Sequence, residues 1–143
     1  MKFSKFHLDG TSKFDFLGFE FKWGTNRNKR AQLQTRTSRK KINDVIKKLT
    51  LWCKENRHKG IGKIMKSFNT KLRGHYNYFG IIGNGQRLKS YYFRAICALK
   101  RWLNKRSQKR SYNWTGFYKM LNLFKVETPG ITQKRELNKQ LCF

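Results

Sequence analysis

The stretch AQLQTRTSRKKINDVIKKLTLWC, residues 31–53, decides the fold. Up to Thr37 its pattern has a period of two: Ala31, Leu33 and Thr35 fall on one side and Gln32, Gln34 and Arg36 on the other. That is the signature of a half-buried strand. From Ser38 the period becomes helical. Ile42, Val45, Ile46, Leu49, Trp52 and Cys53 recur along one face, while Lys40, Lys47, Lys48 and Lys54 lie away from it. Ser38 is an acceptable helix N-cap. The switch from strand to helix therefore falls at residues 37–38.

Working backwards, FDFLGFEFKW (residues 14–23) also alternates, with Leu17, Phe19, Phe21 and Trp23 against Gly18, Glu20 and Lys22. The phase slips between Phe16 and Leu17, which suggests a bulge near Gly18. Gly24 to Lys29 reads as a polar turn, so residues 14–37 form a β-hairpin, and Lys2 to Leu8 is a candidate for an added strand. Working forwards, a second helix is expected from Ile61 to Phe79. Its inward stripe is Ile61, Ile64, Met65, Phe68, Leu72, Tyr76 and Phe79, and Gly80 to Gly85 stops it. A third is expected from Arg87 to Lys105, with Leu88, Tyr92, Ala95, Ile96, Leu99 and Leu103 inward. A short fourth should span Trp114 to Phe124, capped by Asn113. Val126 to Phe143 should be extended or mobile. The expected fold is α+β and mainly α: an N-terminal hairpin (residues 1–37), a three- to four-helix bundle (residues 38–131) and a polar tail (residues 132–143).

Charge narrows the function. The 143 residues carry 34 Lys and Arg against 7 Asp and Glu, a formal net charge of +27, and aromatics make up 15%. A disordered basic tail would have few aromatics. A real core inside a basic coat favours a folded nucleic-acid binder. Solvated faces usually mix signs, yet the interval Lys63 to Lys119 contains no acid. Neutralising phosphates is the simplest use for such a surface. The expected RNA contacts are Arg27, Arg30, Lys40, Lys47, Lys48, Arg73, Lys100, Arg101, Lys105, Arg106, Lys109 and Arg110. Arg73 carries the smaller weight, because packing against the next helix would also account for it. Tyr78 and Tyr91 lie off the apolar stripes and are the candidates for stacking on bases. Tyr76, Phe79, Trp102 and Trp114 are expected in the core.

Catalysis and cofactors find little support. Metal-dependent polymerase or nuclease chemistry needs clustered carboxylates. Asp9, Asp15, Glu20, Asp44, Glu55, Glu127 and Glu136 are scattered, and Asp15 and Glu20 read as exposed strand positions. The histidines His7, His58 and His75 are far apart, and Cys53 falls on an apolar stripe, so a buried inert thiol is a better reading than a Cys53–His58 nucleophilic pair. The glycines at Gly60, Gly62, Gly80, Gly83 and Gly85 lack the Gly-Lys-Ser/Thr ending of a phosphate-binding loop. No cofactor and no metal site is expected. Three cysteines with no CxxC pair fit a reducing compartment. No stretch has the length and apolarity of a membrane span, so a cytoplasmic location is the expectation.

Three motifs, in order, carry a family resemblance. FDFLGFEF (residues 14–21) resembles the last palm strands of group II intron reverse transcriptases. KLRGHYNYFG (residues 71–80) resembles the central motif of their maturase-specific domain, domain X, and WLNKRSQKRSYNW (residues 102–114) resembles the basic run after it. The resemblance covers about residues 2–131. His75 and the end of the chain resemble the bacterial lineages without an endonuclease domain. It implies a thumb-like helical bundle after a palm remnant, with group II intron RNA as partner, and an RNA–DNA duplex in the full-length family. It also implies no catalysis by this chain alone, because the Tyr-Ala-Asp-Asp motif and the fingers are absent. Pro129-Gly-Ile131 departs from the family, which often carries a basic residue near Gly130. Two rival expectations are the C-terminal piece of a split RNA-directed DNA polymerase, working with a fingers and palm fragment, and a truncated remnant without a role.

Overall fold

The computed structural model describes residues 13–106 and 112–133. The elements run β1 (Lys13–Phe16), β2 (Phe19–Thr25), β3 (Ala31–Thr37), α1 (Arg39–Asn56), α2 (Ile61–Phe79), α3 (Gly85–Asn104) and α4 (Trp114–Leu123). This is the α+β, mainly α architecture expected from the periodicity. The suggested strand at Lys2 to Leu8 lies outside the described residues. The chain divides into two compact units, Met1–Asn43 and Asp44–Phe143.

The first unit is an antiparallel sheet in the order β1-β2-β3. The bulge expected near Gly18 is instead a tight turn. Phe16 pairs with Phe19 and Phe14 with Phe21, and the two residues between the strands, Leu17 (φ 50°) and Gly18 (φ 84°), both have positive φ. Two positive-φ residues are the hallmark of a type I′ hairpin, whose twist matches that of the strands. The phase slip is therefore a reversal of the chain, and one expected strand is two. Across β2 and β3, Phe21 faces Thr35 and Trp23 faces Leu33, so the aromatics share one face. Phe14 stacks on Phe21 at 5.0 Å, and Lys13 and Glu20 pair on the other face at 3.4 Å. The turn at residues 26–30 is held by the Asn26 carboxamide, whose Oδ1 accepts from the backbone N–H of Asn28 and Arg30. Ser38 caps α1 as expected, its Oγ accepting from Lys41 N–H at 3.2 Å.

The second unit buries Leu49 and Cys53 from α1, Ile64, Met65, Phe68, Leu72, Tyr76 and Phe79 from α2, Leu88, Tyr91, Ala95, Ile96 and Leu99 from α3, and Phe117 and Leu121 from α4. Helix α3 starts two residues earlier than expected, with Asn84 at its N-cap position. Asn84 is fully buried, and its side chain donates to the Phe79 carbonyl at 2.8 Å. The glycine-rich link thus docks the end of α2 against the start of α3. Asn113 caps α4 by accepting from Gly116 N–H at 2.7 Å.

The segment after α4 is irregular, as expected, but fixed as far as Gln133. Asn69 donates to the Lys125 carbonyl and accepts from Glu127 N–H. Tyr76 Oη donates to the Glu127 carbonyl at 3.2 Å, and Thr132 Oγ1 donates to the Tyr76 carbonyl at 3.1 Å. Gln133 N–H closes on the Gly80 carbonyl. Residues 125–133 therefore form a strap along α2.

Candidate nucleic-acid interface

Two adjoining cavities follow the crevice between α1 and α2. The first is lined by Val45, Lys48, Leu49, Lys71, His75 and Tyr91. The second is lined by Trp52, Asn56, Lys59, Lys63, Ile64, Lys66 and Ser67. Lys71, a wall of the first, also lies 5.1 Å over the ring of Trp52, a wall of the second, so the two lie side by side. Positions 45, 48, 49, 52 and 56 are one face of α1 by helical spacing. The antiparallel return of α2 brings its lysines alongside. Five lysines line this groove and no acid does. Of these, only Lys48 is expected from the sequence; Lys59, Lys63, Lys66 and Lys71 are not. The positions of Lys59 in the α1–α2 link and of Lys63, Lys66 and Lys71 along α2 carry no sign that they would converge with Lys48, because the convergence depends on how two helices pair.

A second group forms at the end of α3. Arg57 and Lys105 both approach the Trp102 ring, at 5.3 and 4.6 Å from its centroid, and Lys100 lies 4.8 Å over Trp114. Cations held on aromatic faces keep their charge while losing freedom. Arg101 and Arg106 are exposed beside them. Lys109 and Arg110 lie outside the described residues. Asn104, the last residue of α3, donates to the Tyr112 carbonyl and accepts from Tyr112 N–H, both at 3.0 Å.

The other expected contacts are distributed differently. Lys40 and Lys47 are exposed on α1. Arg27 and Arg30 lie in the β2–β3 turn of the sheet unit. Arg73 is engaged: its Nε and Nη2 hold Glu127 Oε1 at 2.7 and 2.6 Å, so it fastens the strap as well as carrying charge. Tyr78 is 52% exposed, as a stacking residue must be.

Tyr91 corrects the sequence reading, being 1% exposed. Its ring stacks on His75 at 3.6 Å, with planes 13° apart. Positions 88, 91, 95 and 99 form as good a helical stripe as one running through Tyr92, and the buried His75 selects the former. Tyr92 is only half-buried. Trp114 is also corrected: expected in the core, it is 41% exposed. Trp102 is half-buried, with its Nε1 enclosed and without a hydrogen-bond partner among the described residues.

Cys53 is buried as expected, and desolvation pushes its thiol up to about 12 against a partial opposing pull from Lys71. A thiol so protonated is no nucleophile at neutral pH. His58, its partner on paper, is exposed. Asp15 and Glu20 are cross-strand partners on one face, but no group of three or more His, Cys, Asp or Glu that could hold a metal occurs among the described residues. Nor is any described helix long and apolar enough to cross a membrane. Comparison with protein-family models, with curated proteins and with solved structures returned no match.

Proposed function

We propose that this chain binds structured RNA through its sugar–phosphate backbone and performs no catalysis of its own. The observation that carries the reading is the acid-free groove of Lys48, Lys59, Lys63, Lys66 and Lys71 between α1 and α2. An A-form duplex presents phosphates and 2′-hydroxyls to such a surface, and its deep major groove is closed to side chains. The basic end of α3, with Lys100, Arg101, Lys105 and Arg106, supplies a second set of phosphate contacts. The motif resemblance supports a narrower form: a thumb and maturase portion of a group II intron protein, acting on intron RNA in the cytoplasm of a bacterium.

A salt titration tests it. Every phosphate that a variant leaves without its cation should reduce the slope of log K against log salt by roughly 0.7–0.9. Replacing Lys48, Lys63, Lys66 and Lys71 by glutamine should weaken filter binding of a structured RNA and flatten that slope. Neutralising Lys105, Arg106, Lys109 and Arg110 should do the same. An unchanged slope in both variants would sink the assignment.

The split-polymerase reading draws on one observation. The apolar face of the sheet leaves Phe14 40%, Phe16 60% and Leu33 42% exposed, which suits a partner sheet. An adjacent upstream reading frame ending in palm sequence with paired aspartates would favour it.

A further inference from the structure

Three large aromatic side chains stand in water together where α3 meets α4. Phe93 is 56% exposed, Trp114 41% and Tyr118 44%. Phe93 and Trp114 hold their ring planes 9° apart, with centroids at 6.5 Å. Tyr118 continues the cluster 5.6 Å from Trp114. The platform is held in place from beneath and from the side. The fully buried Phe117 meets the indole edge-on at 6.0 Å, and the Asn113 cap fixes the first turn of α4, where Trp114 sits. Lys100 Nζ lies 4.8 Å over the indole, with Arg101 exposed at the next position, in the last turn of α3.

The fold does not require these rings outside. Helix α4 buries Phe117, Met120 and Leu121 instead, and exposed aromatics that cluster generally mark an interaction site. Charge selects the partner, since no acid occurs between Lys63 and Lys119. The near-parallel planes of Phe93 and Trp114 suit flat ligands, with Tyr118 tilted 30° from the indole at their side; a protein side-chain patch would gain area from any ring orientation. Aromatic faces interleaved with Lys and Arg are how single-stranded nucleic acid is held, with bases on rings and phosphates on cations. Bases inside a duplex are already stacked and cannot use such faces.

We propose that Phe93, Trp114 and Tyr118 form a stacking platform for unpaired bases, with Lys100 and Arg101 on the adjoining phosphates. This rests on the RNA-binding reading above and deepens it: the preferred substrate is a duplex with a single-stranded extension.

The test compares a blunt RNA hairpin with the same hairpin carrying a short uridine tail, each titrated by fluorescence anisotropy against the full chain at one salt concentration. The wild type should bind the tailed RNA roughly ten- to a hundredfold tighter, the gain typical of one stacked base. Trp114→Ser combined with Tyr118→Ser should abolish that preference while leaving blunt-hairpin binding within about twofold. Phe93→Ser, which disturbs no buried ring, should reduce the preference on its own, and Trp114→Tyr should restore most of it. Equal binding of the two RNAs by the wild type overturns the inference and leaves backbone binding standing. A preference that survives in the serine variants also overturns it, because the tail is then held elsewhere. Failure to bind even the blunt hairpin removes the RNA reading and this inference together.

Discussion

Cys53 shows how a single side chain reports on the packing around it. Its thiol ionises at 9.0 in an open chain and at about 12 here, because burial disfavours the thiolate. Folded protein therefore holds the proton that unfolded chain releases. Below pH 9.0 the difference has no effect; between 9.0 and about 12 stability falls as pH rises. Desolvation raises the half-buried Cys97 thiol too, against the pull of Arg101 and Lys100; being partly open to solvent, it should be alkylated by iodoacetamide before Cys53, which is spared until the fold opens. Mass spectrometry of the labelled peptides checks this, and rapid labelling of Cys53 in native protein at pH 8 would contradict it. The burial of Cys53 is legible in the sequence because it lies on a clean apolar stripe. The burial of Tyr91 is not, since adjacent tyrosines at 91 and 92 fit the stripe equally and the deciding contact, His75, comes from another helix. Trp114 misleads for a related reason: a large aromatic beside a cap is usually core, and here Phe117 fills that space.

At the scale of elements, two turns set the geometry and both invite substitution. Leu17 adopts φ 50° in the β1–β2 turn and is 66% exposed. A left-handed conformation costs an ordinary L residue about 1–2 kcal/mol, and asparagine tolerates it better. Leu17→Asn should therefore stabilise the chain by about 0.5–1 kcal/mol, read as a higher urea midpoint. Gly80 is the opposite case. A Cβ there would press on the Tyr76 carbonyl and on Thr132 Oγ1, with Thr132 N at 2.9 Å. Backbone cannot yield as a flexible side chain can, so Gly80→Ala should cost about 1–3 kcal/mol and loosen the strap. Faster hydrogen exchange at Gln133, whose N–H bonds the Gly80 carbonyl, would locate the damage. The four helices are legible, their boundaries to within about two residues, because apolar stripes and glycine stops are local signals. The strap is not, since its bonds join residues more than fifty positions apart, such as Tyr76 with Glu127. The hairpin turn is half legible: the phase slip is visible, but a bulge and a reversal produce the same slip, and only strand pairing separates them.

For the whole molecule the governing quantity is the net charge of +27. With 34 cations against 7 acids, most cations must go without an acidic partner; Lys13 with Glu20 and Arg73 with Glu127 are two that have one. Repulsion of this size opposes the compact state, and salt screens it over a Debye length of about 10 Å at 0.1 M. Raising sodium chloride from low to moderate concentration should therefore raise the thermal midpoint of the free chain. The same salt should weaken RNA binding, because less is then gained by releasing counterions from the RNA. A structured RNA at saturating concentration should raise the midpoint more than salt does, by mass action on the folded state. The two additions must then counteract each other: in the presence of RNA the midpoint should first fall as salt is added, then rise once the RNA has dissociated. A differential scanning titration in both variables checks it. A midpoint that rises steadily with salt while RNA is present would mean that the cations are not neutralised by phosphates, and the groove between α1 and α2 would need another ligand.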